Sequence, residues 1–385
     1  MRQRPKASQP ARAKPDVSHE EEEEKRTKSM ESRLFSSPKN VFALCLVFRI
    51  VNSLLVETYF NPDEHWQALE VAHRLVFGYG QLTWEWNKGI RSYLHPMIFA
   101  LLYKVLALLG LDTPWLLNVI IYMLRPIFSS VCDFYLYKLS YVIFGSHVAK
   151  WALFWQLGNW FMFFCLNCTL SNSLETVLTV VALYYWPCFT GSSHKGSSNS
   201  RKWALALAAL ACAIRPTSAI IWIYVGLLEL FVAHDRLRFV ILEVVPVGAP
   251  DGKRRRFLNI PAKWPSKLQF AILFLLATNI PMALYMSLVH QRGTEDAINY
   301  LSNEARYGKV KSAIFLMPCH ATPYYSTLHC NLPMRFLDCT PSEERGIQDE
   351  SDQFMNNPID FASEYARNWS LPSHVVLFDS EERLL

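Results

Sequence analysis

Residues 41–70 read VFALCLVFRIVNSLLVETYFNPDEHWQALE. The first part, Val41 to Phe60, is an apolar run with Arg49 in its middle. As a helix it is long enough to cross a hydrocarbon core of ~30 Å, which takes about 20 residues. It is too long and lies too far into the chain for a cleaved leader, so it reads as a signal anchor. Ahead of it, residues 1–40 are polar and low in complexity, with the acidic run Glu20 to Glu24 followed by Lys25, Arg26 and Lys28. Such a stretch buries too little apolar area to offset its ordering entropy, which predicts a disordered tail. Its basic residues, flanking a first span, predict that the tail stays in the cytosol.

Composition agrees with a membrane protein. The chain has 385 residues, of which 51% are hydrophobic and 18% charged, whereas a soluble domain carries roughly 25% charged residues. Mean hydropathy is only +0.10 because charge is concentrated in the first forty residues, the last ninety or so and the short loops. The net charge of +5 is too diffuse to indicate nucleic acid. Further apolar stretches fall near 94–111, 115–132, 151–166, 173–189, 203–233, 238–249 and 268–290, giving about eight spans. The 203–233 stretch is expected to break at Arg215-Pro216, and 238–249 is short for a crossing. The resulting fold class is an all-α polytopic membrane bundle over residues 41–290. Residues 291–385, mixed in polarity, are expected to form a small α/β domain in the lumen, with Ala313 to Met317 as the best strand. Asn368-Trp369-Ser370 is a glycosylation acceptor, usable only on the luminal side. Asn167-Cys168-Thr169 matches the same pattern but is embedded in apolar sequence, and is expected to stay unmodified.

The loop at 61–93, NPDEHWQALEVAHRLVFGYGQLTWEWNKGIRSY, carries the chemistry. Asn61 can cap a helix, Pro62 suits its first position, Glu64 can reach back to the cap amide, and Gly78 can end it. Glu70 and Arg74 are spaced to pair. Leu69, Ala72, Leu75 and Val76 share a side, and Trp66, Trp84 and Trp86 suit a headgroup boundary, so the expectation is an amphipathic helix lying on the luminal leaflet. Asp63 and Glu64 point about 100° apart on such a helix, which separates their tasks: one to face a reaction, the other to cap. Lys88, Arg91 and His95 add cations suited to a lipid phosphate, although NPDE alone makes a good helix start and interfacial cations commonly snorkel. Arg49, Lys104, Arg125 and Arg215 lie inside apolar stretches, where charge is expensive and tends to face a bundle interior. His320, His329, Cys319, Cys330 and Cys339 are irregularly spaced for a metal, and one disulfide is the expected use of the cysteines.

NPDEHxQ after the first span, then LTWEW, GIRS and LHP, resembles the GT-C glycosyltransferases of family 22, which use dolichol phosphate mannose. Supporting segments are SNSLET at 171–176, IRPT at 214–217 and LVHQRGT at 288–294; the tail segments MPCHATPYYS and PMRFLDC point to the branch acting in GPI-anchor assembly. The resemblance implies inversion at the mannose anomeric carbon on the luminal face of the endoplasmic reticulum membrane, an α-1,2 bond joining the third mannose of the GPI precursor to the second, and no cofactor or metal. Dolichol phosphate mannose and the mannosylated GPI precursor lipid are the implied partners. It implies Asp63 as general base with Glu64 beside it as catalytic residues, and His65, Lys88, Arg91, Ser92, His95 and Arg215 as substrate-binding residues. The chain departs from the family between Leu242 and Leu268, where LEVVPVG passes through APDGKRRR almost directly to KLQFAILFLL; an HKE-x-R-F motif is missing, and the chain stops early at LFDSEERLL. The reading is a chain lacking several central spans. Its competitors are a catalytically inactive family member and a relative serving N-glycan precursors; a transporter has only the charges inside spans to rest on.

Overall fold

The computed structural model describes residues 34–186, 198–232, 268–341, 348–368 and 370–383. The expected tail at 1–40 lies mostly, and the 238–249 stretch wholly, outside the described residues. The elements are helical apart from one small sheet.

Helix α1 (Pro38–Leu55) starts on Ser37, whose side chain accepts from Lys39 N. A reverse turn and a short π-helical turn (His65–Leu69) lead into α2 (Glu70–Phe77), which Gly78 ends at φ +79°, as its position in the sequence predicts. After α3 (Trp84–Asn87) and α4 (Leu94–Leu108) comes the long α5 (Pro114–Phe144). Pro126 inside α5 supplies no N–H to the carbonyl of Tyr122, and Ser53 Oγ of α1 donates to that carbonyl at 2.9 Å instead. The stretch expected as one span at 151–166 is divided. Helix α6 (Ser146–Gly158) stops, Asn159 accepts from Met162 N, and α7 (Trp160–Cys165) begins, with Trp160 N donating to Asn279 Oδ1. An asparagine that caps locally therefore outweighs apolarity that would carry the helix through.

Helix α8 (Ser171–Tyr185) packs against α5 and α9 (Ser198–Ile214). A 3₁₀ turn at Pro216–Ser218 then separates α9 from α10 (Ala219–Val232), so the break falls at Arg215-Pro216. Helix α11 (Leu268–Leu288) turns at Gln291, φ +55°, into α12 (Arg292–Arg306). Length and apolarity single out Pro38–Leu55, Pro114–Phe144 and Ile272–Arg306 as able to cross a membrane; Leu94–Leu108, Lys202–Ile214 and Pro216–Leu228 are shorter apolar helices. These elements make a helical membrane protein. Arg49 is fully buried between α1 and α5, bonded to both oxygens of Asp133 at 2.6 and 2.9 Å and to the Met162 carbonyl, so this charge inside a span has its counter-ion.

The strand expected at Ala313 is β1 (Ala313–Leu316), central in a parallel sheet with β2 (Met334–Phe336) and β3 (His374–Leu377). Helix α13 (Tyr325–Leu328) bridges β1 to β2; α14 (Glu350–Asn356) and α15 (Pro358–Asn368) bridge β2 to β3. All four β1 residues are buried because both faces are covered. Ala313 and Phe315 face a cluster with Ile298, Leu301 and Tyr324; Ile314 and Leu316 face Leu337 and Phe354. Cys319 and Cys339 form a disulfide, Cα–Cα 6.1 Å, that ties the exit of β1 to the exit of β2.

Candidate functional site

The helix 65–77 is covered by protein on two sides and is open only near its end, at Arg74 and Leu75. One side (Ala68, Leu69, Ala72) packs against Phe99, Tyr103 and Leu117 of α4 and α5, and the other carries Trp66 into the cluster beneath the sheet. Trp66 is 2% exposed, donates Nε1–H to the Thr322 carbonyl at 2.9 Å and rests on Tyr324 and Phe336. Trp86 is also buried, against Tyr93. These corrections share a reason: two apolar faces met two protein cores. The Glu70–Arg74 pair also does not form. Glu70 is fully buried and accepts from Tyr324 N (2.9 Å), Ser326 N (3.0 Å) and Ser326 Oγ (2.6 Å), while Arg74 donates to the Gly80 carbonyl. Burial raises the Glu70 carboxyl above the usual carboxylate range despite these donors. The PYYS segment thus donates the hydrogen bonds that seat the first loop.

The two adjacent carboxylates divide as their helical spacing predicts. Glu64 is 1% exposed; Oε1 accepts from Phe60 N at 2.5 Å and Oε2 from Thr169 N at 3.2 Å. Its carbonyl accepts from Thr169 Oγ1 at 3.0 Å. It is the cap, reaching one residue beyond the expected Asn61 and also across to the α7–α8 turn. Asp63 is exposed and makes no hydrogen bond or ion pair among the described residues. Its charge acts on His320, a residue at φ +57° whose ring lies 4.6 Å from that of Trp66. Burial holds His320 below the ordinary histidine value, against the upward pull of Glu85, Asp63 and Asp338.

The remaining expected residues separate into groups. His95 is 4% exposed, with Nε2 2.8 Å from the Thr169 carbonyl. Thr169 is therefore held by both Glu64 and His95, a node no sequence signal marks. Arg91 donates to Gln67 Oε1 at 3.2 Å and lies 3.7 Å from Glu85. Ser92 Oγ accepts from Leu94 N at the start of α4, and Lys88 is exposed at the end of α3. Arg215 is paired with Glu175 (3.3 Å), which also accepts from Ser218 Oγ, so it braces the α9–α10 break. Asn167 is fully buried and accepts from Ser129 Oγ, which leaves no access for a glycan; the Asn368 side chain lies outside the described residues.

His65 lines a polar cavity of about 250 Å³ that also holds Glu57, Tyr59, Arg125, Arg292 and Glu295. His65 Nε2 is 3.2 Å from Glu295 Oε1, and Arg292 Nη1 donates to Glu57 Oε2 at 2.5 Å. Tyr59 OH bonds to Thr294 Oγ1 and to the Ala321 carbonyl. The NPDEH and HQRGT segments, far apart in sequence, therefore share one wall, and Tyr59 ties that wall to the CHATP segment. Glu57, Glu295 and Asp296 carry no signal in the sequence that marks them as site residues; Glu57 stands out only as a charge near the end of the anchor run. The cavity can bind hydroxyls and a small anionic group, because it mixes carboxylates with guanidinium groups.

Residues 40–249 and 254–329 match the profile of the Alg9-like mannosyltransferase family. The chain is 48% identical to the mannosyltransferase APTG1 of Arabidopsis thaliana over 473 residues, covering 91% of this chain and 86% of the relative. It is 33% identical to the GPI alpha-1,2-mannosyltransferase 3 of Mus musculus (88% and 81% covered) and 32% identical to the GPI mannosyltransferase 3 of Yarrowia lipolytica (89% of each). No solved structure matches. The Arabidopsis alignment exceeds the chain's own 385 residues, so the aligned part of that relative contains residues with no counterpart here, and the family match is interrupted at the junction where the sequence departs from its kind. The loop, the HQRGT turn and most of the tail motif all lie within the matched residues, and the chain belongs to the Alg9-like mannosyltransferase family of glycosyltransferases.

Proposed function

We propose that this chain is an inverting α-1,2-mannosyltransferase of the endoplasmic reticulum membrane, its loop 61–93 in the lumen, adding the third mannose of a GPI precursor from dolichol phosphate mannose. One displacement suffices. The acceptor hydroxyl gives its proton to the Asp63 carboxylate as its oxygen attacks the anomeric carbon. The bond to the phosphate breaks on the opposite face, and the β-linked donor yields an α-linked product. Protein cations take up the charge on the departing lipid phosphate. The names of the mouse and Yarrowia relatives support the GPI acceptor.

The observation that carries the reading is the asymmetry of the acidic pair. Glu64 is locked by Phe60 N and Thr169 N, leaving neighbouring Asp63 exposed and unbonded on a fixed turn. A general base has to be reachable and to keep its lone pairs free, and Asp63 is the member of the pair so placed. The test is expression of this chain, and of Asp63→Asn, in cells lacking their own third-mannose transferase, with surface GPI-anchored protein as the readout. Rescue by the parent and not by the variant is expected; equal rescue by both removes Asp63 from the mechanism.

A second reading has its own observation. The residues that the Arabidopsis relative carries inside the alignment and this chain lacks favour a catalytically inactive member. Rescue by the parent chain excludes it.

A further inference from the structure

Arg125 stands where two spaces of different character meet. It lies on α5 directly before Pro126, and it lines both the polar cavity and an apolar cleft formed with Phe99, Phe128, Leu170, Leu174 and Val177. Its guanidinium sits over the Tyr122 ring, 4.8 Å from the centroid. Its Nε is buried and finds no hydrogen-bond partner, and the side chain forms no ion pair among the described residues. The other arginines next to the bundle have anions: Arg49 has Asp133, Arg215 has Glu175, and Arg292 has Glu57 and Asp296. An arginine on a helix apolar enough to cross a membrane, facing a cavity and lacking a counter-ion, is placed for an anionic ligand.

We propose that Arg125 holds the phosphate of a lipid-linked sugar, with the sugar in the polar cavity and the isoprenoid chain running out over the apolar cleft, whose free volume of about 30 Å³ is too small to enclose it. This deepens the mannosyltransferase reading above and rests on it for the identity of the sugar. The guanidinium fork fits two phosphate oxygens at once, and stacking on Tyr122 fixes its plane. Glu57, Glu295 and Asn118 on the cavity wall offer acceptors and an amide to sugar hydroxyls. The cleft, bordered by Leu174 and Val177 of α8, offers an apolar path to a chain with no polar groups of its own.

The test measures binding of farnesyl phosphate, farnesol and inorganic phosphate to the full chain in nanodiscs. The parent is expected to prefer farnesyl phosphate to both. Arg125→Gln is expected to weaken farnesyl phosphate about tenfold with farnesol unchanged, the loss of a charge-assisted pair. Arg125→Lys, which keeps charge without the fork, is expected to lose about threefold. Leu174→Trp, filling the cleft, is expected to weaken farnesyl phosphate and farnesol together. Equal farnesyl phosphate binding by parent and Arg125→Gln overturns the proposal; if that variant does not fold, an unchanged preference for phosphate over alcohol in Arg125→Lys overturns it. Inorganic phosphate binding as tightly as farnesyl phosphate overturns the lipid assignment. Asp63→Asn is expected to bind farnesyl phosphate like the parent. Full mannosyl transfer by Asp63→Asn breaks the base assignment alone, whereas unaltered farnesyl phosphate binding in Arg125→Gln breaks this one alone.

Discussion

The junction between the first loop and the tail differs from the polar cavity beside it in how its charges are satisfied. At the junction, Glu64 and Glu70 are buried and receive backbone N–H groups from Phe60, Thr169, Tyr324 and Ser326. Around the cavity and at Asp63, charged groups are partly open, and Arg125 has an unpartnered buried nitrogen. A carboxylate that holds backbone has its lone pairs committed, whereas one that is to receive a proton keeps them free. The contrast therefore assigns structural and chemical tasks among acidic residues that look alike in sequence.

The sharpest way to break this contrast is to exchange the members of the acidic pair. Asp63→Asn is expected to lower mannosyl transfer by about 10²–10⁴-fold, the usual contribution of a general base, with thermal stability unchanged. A loss of melting temperature comparable to that of a Glu64 variant would place Asp63 on the structural side. Trp66→Ala, at the centre of the junction, is expected to cost about 3–5 kcal/mol of stability, read from thermal or denaturant unfolding. Glu64→Ala strands the Phe60 and Thr169 amides and is expected to cost about 1–3 kcal/mol for each buried donor left unpaired, with the stability loss preceding any loss of donor binding.

The gentlest probe is pH. Burial, with His329 beside it, lowers the His73 value to about 3; its Nε2 lies 3.0 Å from His329 Nδ1. The unfolded chain then takes up the proton that the folded chain refuses. The stabilising effect of neutral His73 is whole above about 6.5, the unfolded value, and is lost as pH falls from there toward 3. Glu70 acts in the opposite sense: its raised value favours the folded state at low pH, and stability declines as pH rises above the unfolded carboxyl range. His73→Phe is expected to flatten the acid side of a melting-temperature profile, and Glu70→Gln the side above it. Identical profiles for parent and both variants would remove these groups from the junction's pH response.

Local signals were legible in the sequence. The helix end at Gly78, the break at Arg215-Pro216 and the strand at Ala313 each depend on one residue's backbone preference or on a short pattern, whereas Asn61 does not cap the helix start: its Oδ1 is buried without a partner. The separation of Asp63 from Glu64 followed from helical geometry alone. Long-range partners were not legible. An apolar face announces that it will be covered without naming the cover, so the pattern around Trp66 suits lipid equally well, whereas it belongs to a core assembled from residues 298–336. The spacing of Glu70 and Arg74 permits a pair four residues apart, yet the partner of Glu70, Ser326, lies 256 positions on. Arg125 was visible only as an isolated charge; that it lines two cavities at once emerges from the way α4, α5 and α8 come together.

That separation of 256 positions has a consequence for biogenesis. The ribosome delivers Glu70 and Trp66 long before the segment that shelters them exists. At roughly 5–20 residues per second, their partners follow after about 10–50 s. Throughout that interval the nascent loop presents a naked acid and an uncovered indole, so chaperone retention during synthesis should depend on how quickly the tail emerges.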